Sequence, residues 1–299
     1  MHLVLCTNPA SGGGSDAPEA IAAALRGRGA TVTARAISDL GDPAASVDAA
    51  TAAAVIGDAQ RLVVAGGDGS IGLAASAAAV AGVPLAVVAT GTANDFARAL
   101  ELPGDLDAAC ALASDPDAHV RALDLAAAGA RPFVNAAGAG LAPAAARSAK
   151  PFKKALGPLA YAVGALHAGA TTHPLAVTVT VDGNTVFDGD AWQLVVGNTG
   201  AFGGGSSTGA ADPADGALDV AVVPAGSRLA LTRRAYGMRT GRLVHQDDVV
   251  HARGARVEVQ ARDAAAFNVD GEVCHPGPPA TFTVRPRAFE LLVPAGATS

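Results

Sequence analysis

Apolar residues in the first 120 positions form short continuous runs that alternate with longer segments of helical periodicity. The runs cover residues 3–6, 62–65 and 84–89, residues 30–37 are a mixed stretch rich in β-forming residues, and the helical segments cover residues 17–28, 47–56 and 70–80. A further helix is predicted to begin near Asn94. Short apolar runs are typical of strands that are buried on both faces. Because strands and helices alternate, this half predicts a parallel sheet covered by helices.

From about Leu123 the pattern changes, and strand-like runs follow one another with few helical segments between them. The runs cover residues 175–181, 185–187, 192–196, 218–223, 256–259, 281–284 and 289–293. Asp182-Gly183-Asn184 separates the first two runs and is typical of a hairpin turn. Helical patterns interrupt the runs at residues 143–168 and 228–243. This half therefore predicts a mainly antiparallel β domain.

Composition and charge narrow the classes of partner. Of the 299 residues, 50% are hydrophobic, which is enough for a substantial core, and only 4% are aromatic. The formal net charge is −6. Few aromatic side chains are available to stack on bases, and the negative charge opposes binding to phosphate backbones. We therefore expect no nucleic-acid partner.

The cysteines and the N-terminus indicate the compartment. Cys6, Cys110 and Cys274 are odd in number and lack CxxC spacing, which favours free thiols in a reduced compartment. The N-terminus has no basic region before its short apolar run, so we expect no signal peptide. No apolar run reaches membrane-spanning length without interruption. The sequence predicts a cytoplasmic protein that touches, at most, the inner face of the membrane.

Two glycine-rich segments follow apolar strands, where parallel sheets bind their ligands. Gly66-Gly67-Asp68-Gly69-Ser70 follows the run at 62–65, and Gly91-Thr92-Ala93-Asn94-Asp95 follows the run at 84–89. Glycine lets a backbone approach a phosphate closely, and an aspartate inside such a turn indicates a metal ion between carboxylate and phosphate. The alternative is that Asp68, Asn94 or Asp95 only caps the helix that follows.

Two better-known phosphate motifs do not fit. Residues 67–72 match G-x-G-x-x-G, but they follow the third strand, and the strand at 84–89 does not end in the acidic residue that would hold a dinucleotide ribose. The sequence contains no G-x-x-x-x-G-K-[ST] segment. A Rossmann dinucleotide site and a P-loop are therefore both rejected.

Two further motifs complete the set. Asn8-Pro9-Ala10-Ser11-Gly12 follows the first strand, and Asn268-Val269-Asp270-Gly271-Glu272 lies far downstream. The second motif places Glu272 beside a flexible Asp-Gly pair, where it could accept a proton, although a glutamate there is more often simply solvated. Together the four motifs predict a site for a nucleotide triphosphate, a divalent cation and a proton acceptor.

In this order, the motifs resemble the diacylglycerol kinase catalytic-domain family, which includes bacterial diacylglycerol and phosphatidylglycerol kinases and eukaryotic sphingosine and ceramide kinases. The resemblance runs over nearly the whole chain and extends to residues 156–161 and 215–220. It implies an α/β N-terminal domain with a parallel sheet, of the NAD kinase and diacylglycerol kinase type, and a mainly antiparallel β C-terminal domain. The expected nucleotide-binding domain is residues 1–123 with about 288–299, the expected lipid-substrate domain is residues 124–287, and the active site is expected between them.

The resemblance also implies roles for individual residues. The ATP site would comprise Asn8, Gly66, Gly67, Gly69, Ser70, Gly91, Thr92 and Asn94. Asp68, Asp95 and Asp124 would form a magnesium-linked catalytic network, and Asp215 with Leu218 a structural magnesium site. Glu272 matches the general base of bacterial members. In the sphingosine-kinase branch the residue equivalent to Asp68 is held to be the base, so both assignments stay open.

The chain departs from its relatives at two places. Many relatives carry Lys or Arg after the first motif, where it meets phosphate, whereas this chain has Gly12-Gly13-Gly14-Ser15. Backbone amides would have to substitute for that cation. Relatives often have an acidic residue after the position of Gly140, where this chain has Leu141-Ala142-Pro143-Ala144.

A basic cluster indicates contact with an anionic membrane surface. Arg147, Lys150 and Lys154 share one face at helical spacing, Lys153 lies beside them, and an apolar segment follows. An ordinary solvated helix end explains the same pattern equally well.

The leading interpretation is a lipid kinase that uses ATP and Mg²⁺. A soluble-substrate kinase of the NAD kinase type and a non-catalytic nucleotide- or lipid-binding protein are the alternatives. The motifs leave the acceptor lipid and the oligomeric state open, a homodimer included.

Overall fold

The structure is a computed structural model that describes residues 1–8, 17–140, 173–202, 206–208, 211–226, 246, 248–262 and 265–296. The helices predicted at 143–168 and 228–243 lie outside these ranges, as do the basic residues Arg147, Lys150, Lys153 and Lys154. Within the described ranges, no helix is both long enough and apolar enough to cross a bilayer.

The chain divides into two compact units. The first comprises Met1–Val134, Pro213–Asp215 and Arg285–Ser299, and the second comprises Asn135–Asp212 and Gly216–Val284. The sequence had placed the boundaries after residues 123 and 287. The first unit extends past residue 123 because the hairpin of residues 119–133 packs on one of its helices.

The first unit alternates strands and helices along most of its length. Its strands are β1 (His2–Thr7), β2 (Thr31–Ala36), β3 (Arg61–Gly66), β4 (Leu85–Ala89), β5 (His119–Ala128) and β6 (Arg131–Phe133). Its helices are α1 (Ala17–Gly27), α2 (Ala49–Ile56), α3 (Asp68–Ala81), α4 (Asp95–Ala99) and α5 (Leu106–Ser114), with a 3₁₀ helix at Ile37–Leu40.

Parallel strands in the order β4-β3-β1-β2 form the centre of this unit. The end of β17 (Ala280–Val293) adds a parallel neighbour to β4, with Leu291 opposite Leu85. Alternate strand residues face opposite layers. Leu3, Leu5 and Val63 pack with α1 and α5, whereas Val4, Leu62 and Val64 pack with α2 and α3. The predicted parallel sheet covered by helices is confirmed, and helices cover both of its faces.

Helix α3 explains why β5 and β6 belong to the first unit. A methyl group on Gly72 of this helix would lie 2.8 Å from the carbonyl oxygen of Pro132 and 3.2 Å from the Cα of Phe133. The helix therefore packs directly on the backbone of β6, which pairs antiparallel with β5. The hairpin is part of the core of this unit.

The second unit is built from antiparallel pairs. Its strands are β7 (Ala136–Gly140), β8 (Leu175–Val181), β9 (Asn184–Gly197), β10 (Ala201–Phe202), β11 (Ser206–Ser207), β12 (Leu218–Pro224), β13 (Val250–Gly254), β14 (Arg256–Ala261), β15 (Phe267–Val269), β16 (Glu272–Cys274) and the start of β17. The long strand β9 pairs with β7, β8 and β12, and β15 joins β7 to β16. The expected mainly antiparallel β domain is confirmed.

The predicted hairpin turn after β8 is also confirmed. Asp182 and Gly183 connect β8 to β9 with φ values of 46° and 83°, as a type I′ turn requires. The sequence had divided β9 into two runs. The break between the runs is the polar stretch Asp188-Gly189-Asp190, which pairs regularly with β8, and the one register shift of this pair lies between Val179 and Thr180.

Candidate active site

The two glycine loops meet because β3 and β4 are parallel neighbours. Gly66, which ends β3, lies opposite Ala89, which ends β4, and the Thr90 N–H donates to the Gly66 carbonyl at 3.0 Å. A methyl group on Gly91 would lie 2.6 Å from the Cα of Gly67, closer than two carbons can pack. Only glycine lets the two loops touch, so these motif positions reflect a steric requirement.

Asn8 joins the same corner from the end of β1. Its backbone N–H donates to the Ala65 carbonyl at 3.1 Å, and its Nδ2 donates to the Ser70 Oγ at 3.0 Å. Ser70 is buried in the first turn of α3, and a methyl group on Gly66 would lie 2.8 Å from its Oγ. The structure thus brings the first two motifs together, although residues 9–12 of the first lie outside the described ranges.

The carboxylate of Asp68 links the second motif to the third. Asp68 is the first residue of α3, yet its oxygens accept hydrogen bonds from the backbone N–H groups of Asp95, at 3.1 Å, and Phe96, at 2.9 Å. These residues begin α4, and the leading N–H groups of a helix have no partner within it. The alternative interpretation was that Asp68 caps the helix that follows it, α3. The structure shows instead that Asp68 caps α4.

Asn94 turns the chain into α4. Its φ of 50° lies in the left-handed region, which asparagine adopts more readily than most residues. Its side chain makes no capping hydrogen bond to α4, and its buried Oδ1 has no hydrogen-bond partner within the described part of the chain. A methyl group on Gly91 would lie 2.8 Å from this oxygen. A buried acceptor of this kind requires a partner from solvent or from a ligand.

Asp95 is buried and pairs with a cation that the sequence analysis missed. Its carboxylate forms an ion pair with Arg98, one turn later on α4, whose side chain is 53% exposed. The i, i+3 spacing on a helix was the available signal for this pair. Of the other predicted residues, Thr92 is exposed, and Gly69 lies in the first turn of α3.

Asp124 lies fully buried on β5 in the same unit. Its Oδ1 accepts a hydrogen bond from the Arg287 N–H at 2.7 Å, and its own N–H donates to the Pro213 carbonyl at 2.7 Å. Both partners belong to late segments that return to the first unit. Asp124 therefore ties these segments down. No local sequence pattern indicates this role, since Arg287 is 163 positions away.

The residues of this corner fit a divalent cation bound together with phosphate. Among the residues that the structure describes, no three His, Cys, Asp or Glu side chains lie close enough to hold a metal by themselves. Mg²⁺, however, is usually held by one or two carboxylates, with phosphates and water completing its shell. Asp68 and Asn94 offer the oxygen donors that this hard cation prefers. The network of Asp68, Asp95 and Asp124 stays a prediction.

The structural magnesium site also stays a prediction. Asp215 is exposed and belongs to the short segment 213–215 of the first unit. Leu218 is buried and begins β12 of the second unit, where it pairs with Gly254. Residues 203–205 and 209–210 of the preceding glycine-rich stretch lie outside the described ranges.

Glu272 lies in the second unit, directly after the turn of a β-hairpin. It begins β16 opposite Val269 of β15. Asp270 and Gly271 form the turn with φ values of 46° and 93°, the signs required for type I′. The Gly271 N–H donates to Asn268 Oδ1 at 2.9 Å. The Glu272 side chain is exposed, so the hairpin presents a solvent-accessible carboxylate from a defined turn.

Two thiols are unsuited to nucleophilic chemistry. Burial raises the pKa of the Cys6 thiol to about 12 and also raises the pKa of Cys110. Because the thiolate is the reactive form, both side chains serve packing rather than catalysis.

Comparison with known proteins finds a family match for each half of the chain. A sequence model of the diacylglycerol kinase catalytic domain matches residues 2–128, and a model of the YegS C-terminal NAD kinase beta sandwich-like domain matches residues 135–293. A protein of Pseudomonas syringae pv. tomato named "Probable lipid kinase YegS-like" is 33% identical over 257 residues, covering 80% of this chain and 81% of the relative. Diacylglycerol kinase of Bacillus subtilis is 28% identical over 216 residues, covering 71% and 70%.

Solved structures have the same fold. A diacylglycerol kinase from Bacillus anthracis matches with a TM-score of 0.69 at 20% identity, covering 99% of this chain and 98% of that one. Yeast NADH kinase, complexed with NADH, matches with a TM-score of 0.52 at 11% identity, covering 98% and 83%. At these identities the likeness establishes the fold alone, and it confirms the predicted fold class.

Proposed function

Because the chain belongs to the diacylglycerol kinase catalytic-domain family, with a YegS-type C-terminal domain, we propose that it is a lipid kinase that uses ATP and Mg²⁺ to phosphorylate a lipid hydroxyl group. We propose a diacylglycerol-type lipid as the acceptor. The observation that carries the proposal is the Asp68 carboxylate, which joins two glycine loops at adjacent strand ends through its bonds to Asp95 and Phe96.

The first unit is suited to hold a triphosphate. Gly67 and Gly91 leave no side chain between their touching backbones and a ligand. Helix α3 begins directly after Gly67, so the positive end of its dipole and its leading N–H groups lie at this corner. These groups can replace the cation that the segment after Gly12 lacks. Asn8 and Ser70 add polar side chains to the same corner.

We assign Asp68 and Asp95 as groups that would hold the metal, with Asp124 in the same magnesium-linked network and the amide oxygen of Asn94 as a further oxygen donor. When bound, Mg²⁺ neutralises charge on the transferring phosphate. Asp68 fixes the start of α4, which carries Asp95. The position of one carboxylate therefore depends on the other. Asp124 supports the unit from β5 by anchoring its returning segments.

We assign Glu272, rather than Asp68, as the group that accepts the proton of the acceptor hydroxyl. Both oxygens of Asp68 already accept hydrogen bonds from α4, and protonating it would weaken the cap on that helix. Glu272 is exposed on a hairpin and has no such structural duty. A positioned base matters because an alcohol is a weak nucleophile at neutral pH.

We further propose that Arg147, Lys150, Lys153 and Lys154 contact anionic lipid at the membrane surface, with each basic residue contributing about 1 kcal/mol. Sedimentation with vesicles tests this. Binding should rise with anionic lipid content and fall with salt, and equal binding to neutral vesicles would reject the contact.

Transfer of labelled phosphate from ATP tests the proposed function. Wild-type protein is offered diacylglycerol, other hydroxyl lipids and NAD in parallel, and the product is identified by mass. We expect a phosphorylated lipid, with no product in excess chelator. Asp68→Ala should lower the rate by at least about 100-fold, a loss typical of disrupted electrostatic stabilisation.

Asp58→Ala serves as the matched control, because the Asp58 side chain is 96% exposed and lies away from the glycine loops, beside His2. It should leave the rate unchanged. Label appearing in NAD alone would replace the lipid kinase proposal with the NAD kinase alternative. Undiminished turnover in chelator would reject the metal requirement.

A further inference from the structure

Polar side chains are buried where β7 begins and β9 ends in the second unit. Asn135, Asn198 and Thr199 are only 2%, 1% and 8% exposed. Burying such groups is costly unless they are hydrogen-bonded. The contacts that these residues make should therefore be specific, and they lead directly to the hairpin that carries Glu272.

The first contact joins the hairpin turn to the start of β7. Asp270 Oδ1 accepts hydrogen bonds from the backbone N–H groups of Asn135, at 3.0 Å, and Ala136, at 3.1 Å. In return, the Asp270 N–H donates to the Ala136 carbonyl at 3.1 Å. The residue two positions before Glu272 is thus fixed to β7 through both its side chain and its backbone.

The second contact holds the side chain and the carbonyl group of Asn135. The Thr199 hydroxyl donates to Asn135 Oδ1 at 2.9 Å, and the Asn198 N–H donates to the Asn135 carbonyl at 2.7 Å. Thr199 Oγ1 also accepts a hydrogen bond from the Ala201 N–H at 3.3 Å. One hydroxyl therefore joins the chain after β9 to the residue that holds the hairpin turn.

We propose that Thr199 and Asn135 are positioning residues for Glu272. The Thr199 hydroxyl orients Asn135, the Asn135 and Ala136 N–H groups fix Asp270, and Asp270 sets the turn from which Glu272 projects. Thr199 and Asn135 act through the hairpin and do not touch substrate. The inference rests on the proposed function, since Glu272 is the base only if the chain transfers a phosphoryl group to a hydroxyl.

This series of hydrogen bonds predicts that loss of the Thr199 hydroxyl affects the hairpin of β15 and β16 and leaves the rest of the unit unchanged. Removing one buried hydroxyl leaves the strands paired, because the pairs of β7 with β9 and of β15 with β16 are made by backbone groups. What changes is the precision with which the carboxylate is held. Small displacements of a reacting group are enough to slow an enzyme severely.

Thr199→Val is the test variant, because valine keeps the shape of threonine and lacks the hydroxyl. Thr199→Ser restores a hydroxyl and should rescue the protein. Thr178→Val is the matched control in the same unit: the Thr178 hydroxyl also donates to a side-chain oxygen, Asp188 Oδ1 at 2.9 Å, but that pair is exposed. Each variant is measured for kcat, for KM of ATP, and for activity as a function of pH.

We expect Thr199→Val to lower kcat about tenfold, part of the 10²–10⁴ that a general base supplies, with an unchanged KM for ATP. In a Glu272→Gln background the same substitution should cause no further loss, because its effect passes through Glu272. An equal loss in both backgrounds, or no loss in the wild-type background, would overturn the positioning role. Absence of lipid phosphorylation by the wild type would instead reject the proposed function.

Hydrogen–deuterium exchange tests the positioning role without any assay of activity. The peptide that covers residues 267–274 should exchange faster in Thr199→Val than in wild type, and at the wild-type rate in Thr178→Val and Thr199→Ser. Unchanged exchange of this peptide in Thr199→Val would overturn the inference even if the enzyme were slower.

Discussion

In the first unit, Asp68 receives its hydrogen bonds from residues 27 and 28 positions away, whereas in the second unit Asp270 receives its bonds from residues 135 and 134 positions away. Both carboxylates satisfy backbone N–H groups, at the start of α4 in one case and at the start of β7 in the other. A parallel sheet brings consecutive loops to one edge. Antiparallel pairing in the second unit instead joins segments that are distant in sequence.

This difference determines how the candidate residues of each unit respond to change. In the first unit the candidate residues are held in place by close packing, since glycine backbones touch and leave no room for a side chain. In the second unit the support is a series of polar contacts behind an exposed carboxylate. We therefore expect substitutions in the first unit to damage structure and activity together, and substitutions of Glu272 to damage activity alone.

The largest effect should come from Glu272→Gln. The substitution removes the proton acceptor and keeps the size of the side chain, so phosphoryl transfer should fall by about 10²–10⁴ at neutral pH. Because Glu272 is exposed, thermal stability and ATP binding should be unchanged. Steady-state kinetics, thermal melts and ATP titration check these outcomes.

Glu258→Gln is the control, since Glu258 lies on β14 of the same unit and pairs with Arg256 at the surface. It should behave as wild type. Substantial turnover by Glu272→Gln would move the base assignment to Asp68 and place the whole of the chemistry in the first unit.

The next effect should come from Gly91→Ala, which tests the steric half of the comparison. The added methyl group would lie 2.6 Å from the Cα of Gly67 and 2.8 Å from Asn94 Oδ1, so the two loops must separate. Overpacking of this kind lowers the free energy of unfolding by about 1–3 kcal/mol. We therefore expect a lower Tm together with weaker ATP binding.

Gly104→Ala is the matched control in the same unit, because no atom would lie within 4 Å of its added methyl group. It should melt and bind ATP as wild type does. If both variants behaved alike, the contact between the glycine loops would not be what shapes the nucleotide site.

The same contrast explains what the sequence could predict about the fold. The helices of the first unit follow from local periodicity, and α1 was predicted at 17–28 against the observed Ala17–Gly27. No strand was predicted over residues 119–128, because the first four residues of β5 are mixed in polarity and largely exposed, and its partner β6 has only three residues. Strands β15 and β16 have three residues each, too few to show a period.

The candidate site divides in the same way. Glycine and aspartate next to apolar strands revealed Gly67, Asp68 and Gly91, because the chemistry and the turn lie in one short segment. Asn135 and Thr199 gave no such signal. They are single polar residues at strand ends, and their importance follows only from pairings that join β7, β9 and β15.

The smallest expected effect is a difference in thiol reactivity between the two units. Cys6 lies fully buried on β1, and Cys274 lies half-buried on β16, two positions after Glu272. With its pKa raised by burial to about 12, Cys6 keeps its proton across the pH range of ordinary assays. Cys274 should therefore react first with a thiol reagent, while Cys6 reacts only after the unit unfolds.

The pH dependence of this difference has a definite sign. The pKa of Cys6 is higher in the folded state than the ordinary value of 9.0, so burial of the neutral thiol favours folding fully below pH 9 and ceases to do so as pH rises towards 12. Mass spectrometry after pulsed labelling between pH 7 and pH 10 should find modification at Cys274 and none at Cys6. Labelling of Cys6 at pH 8 in protein that retains its melting transition would show that the first unit opens locally, and the contrast between a closed parallel core and an exposed hairpin would then fail.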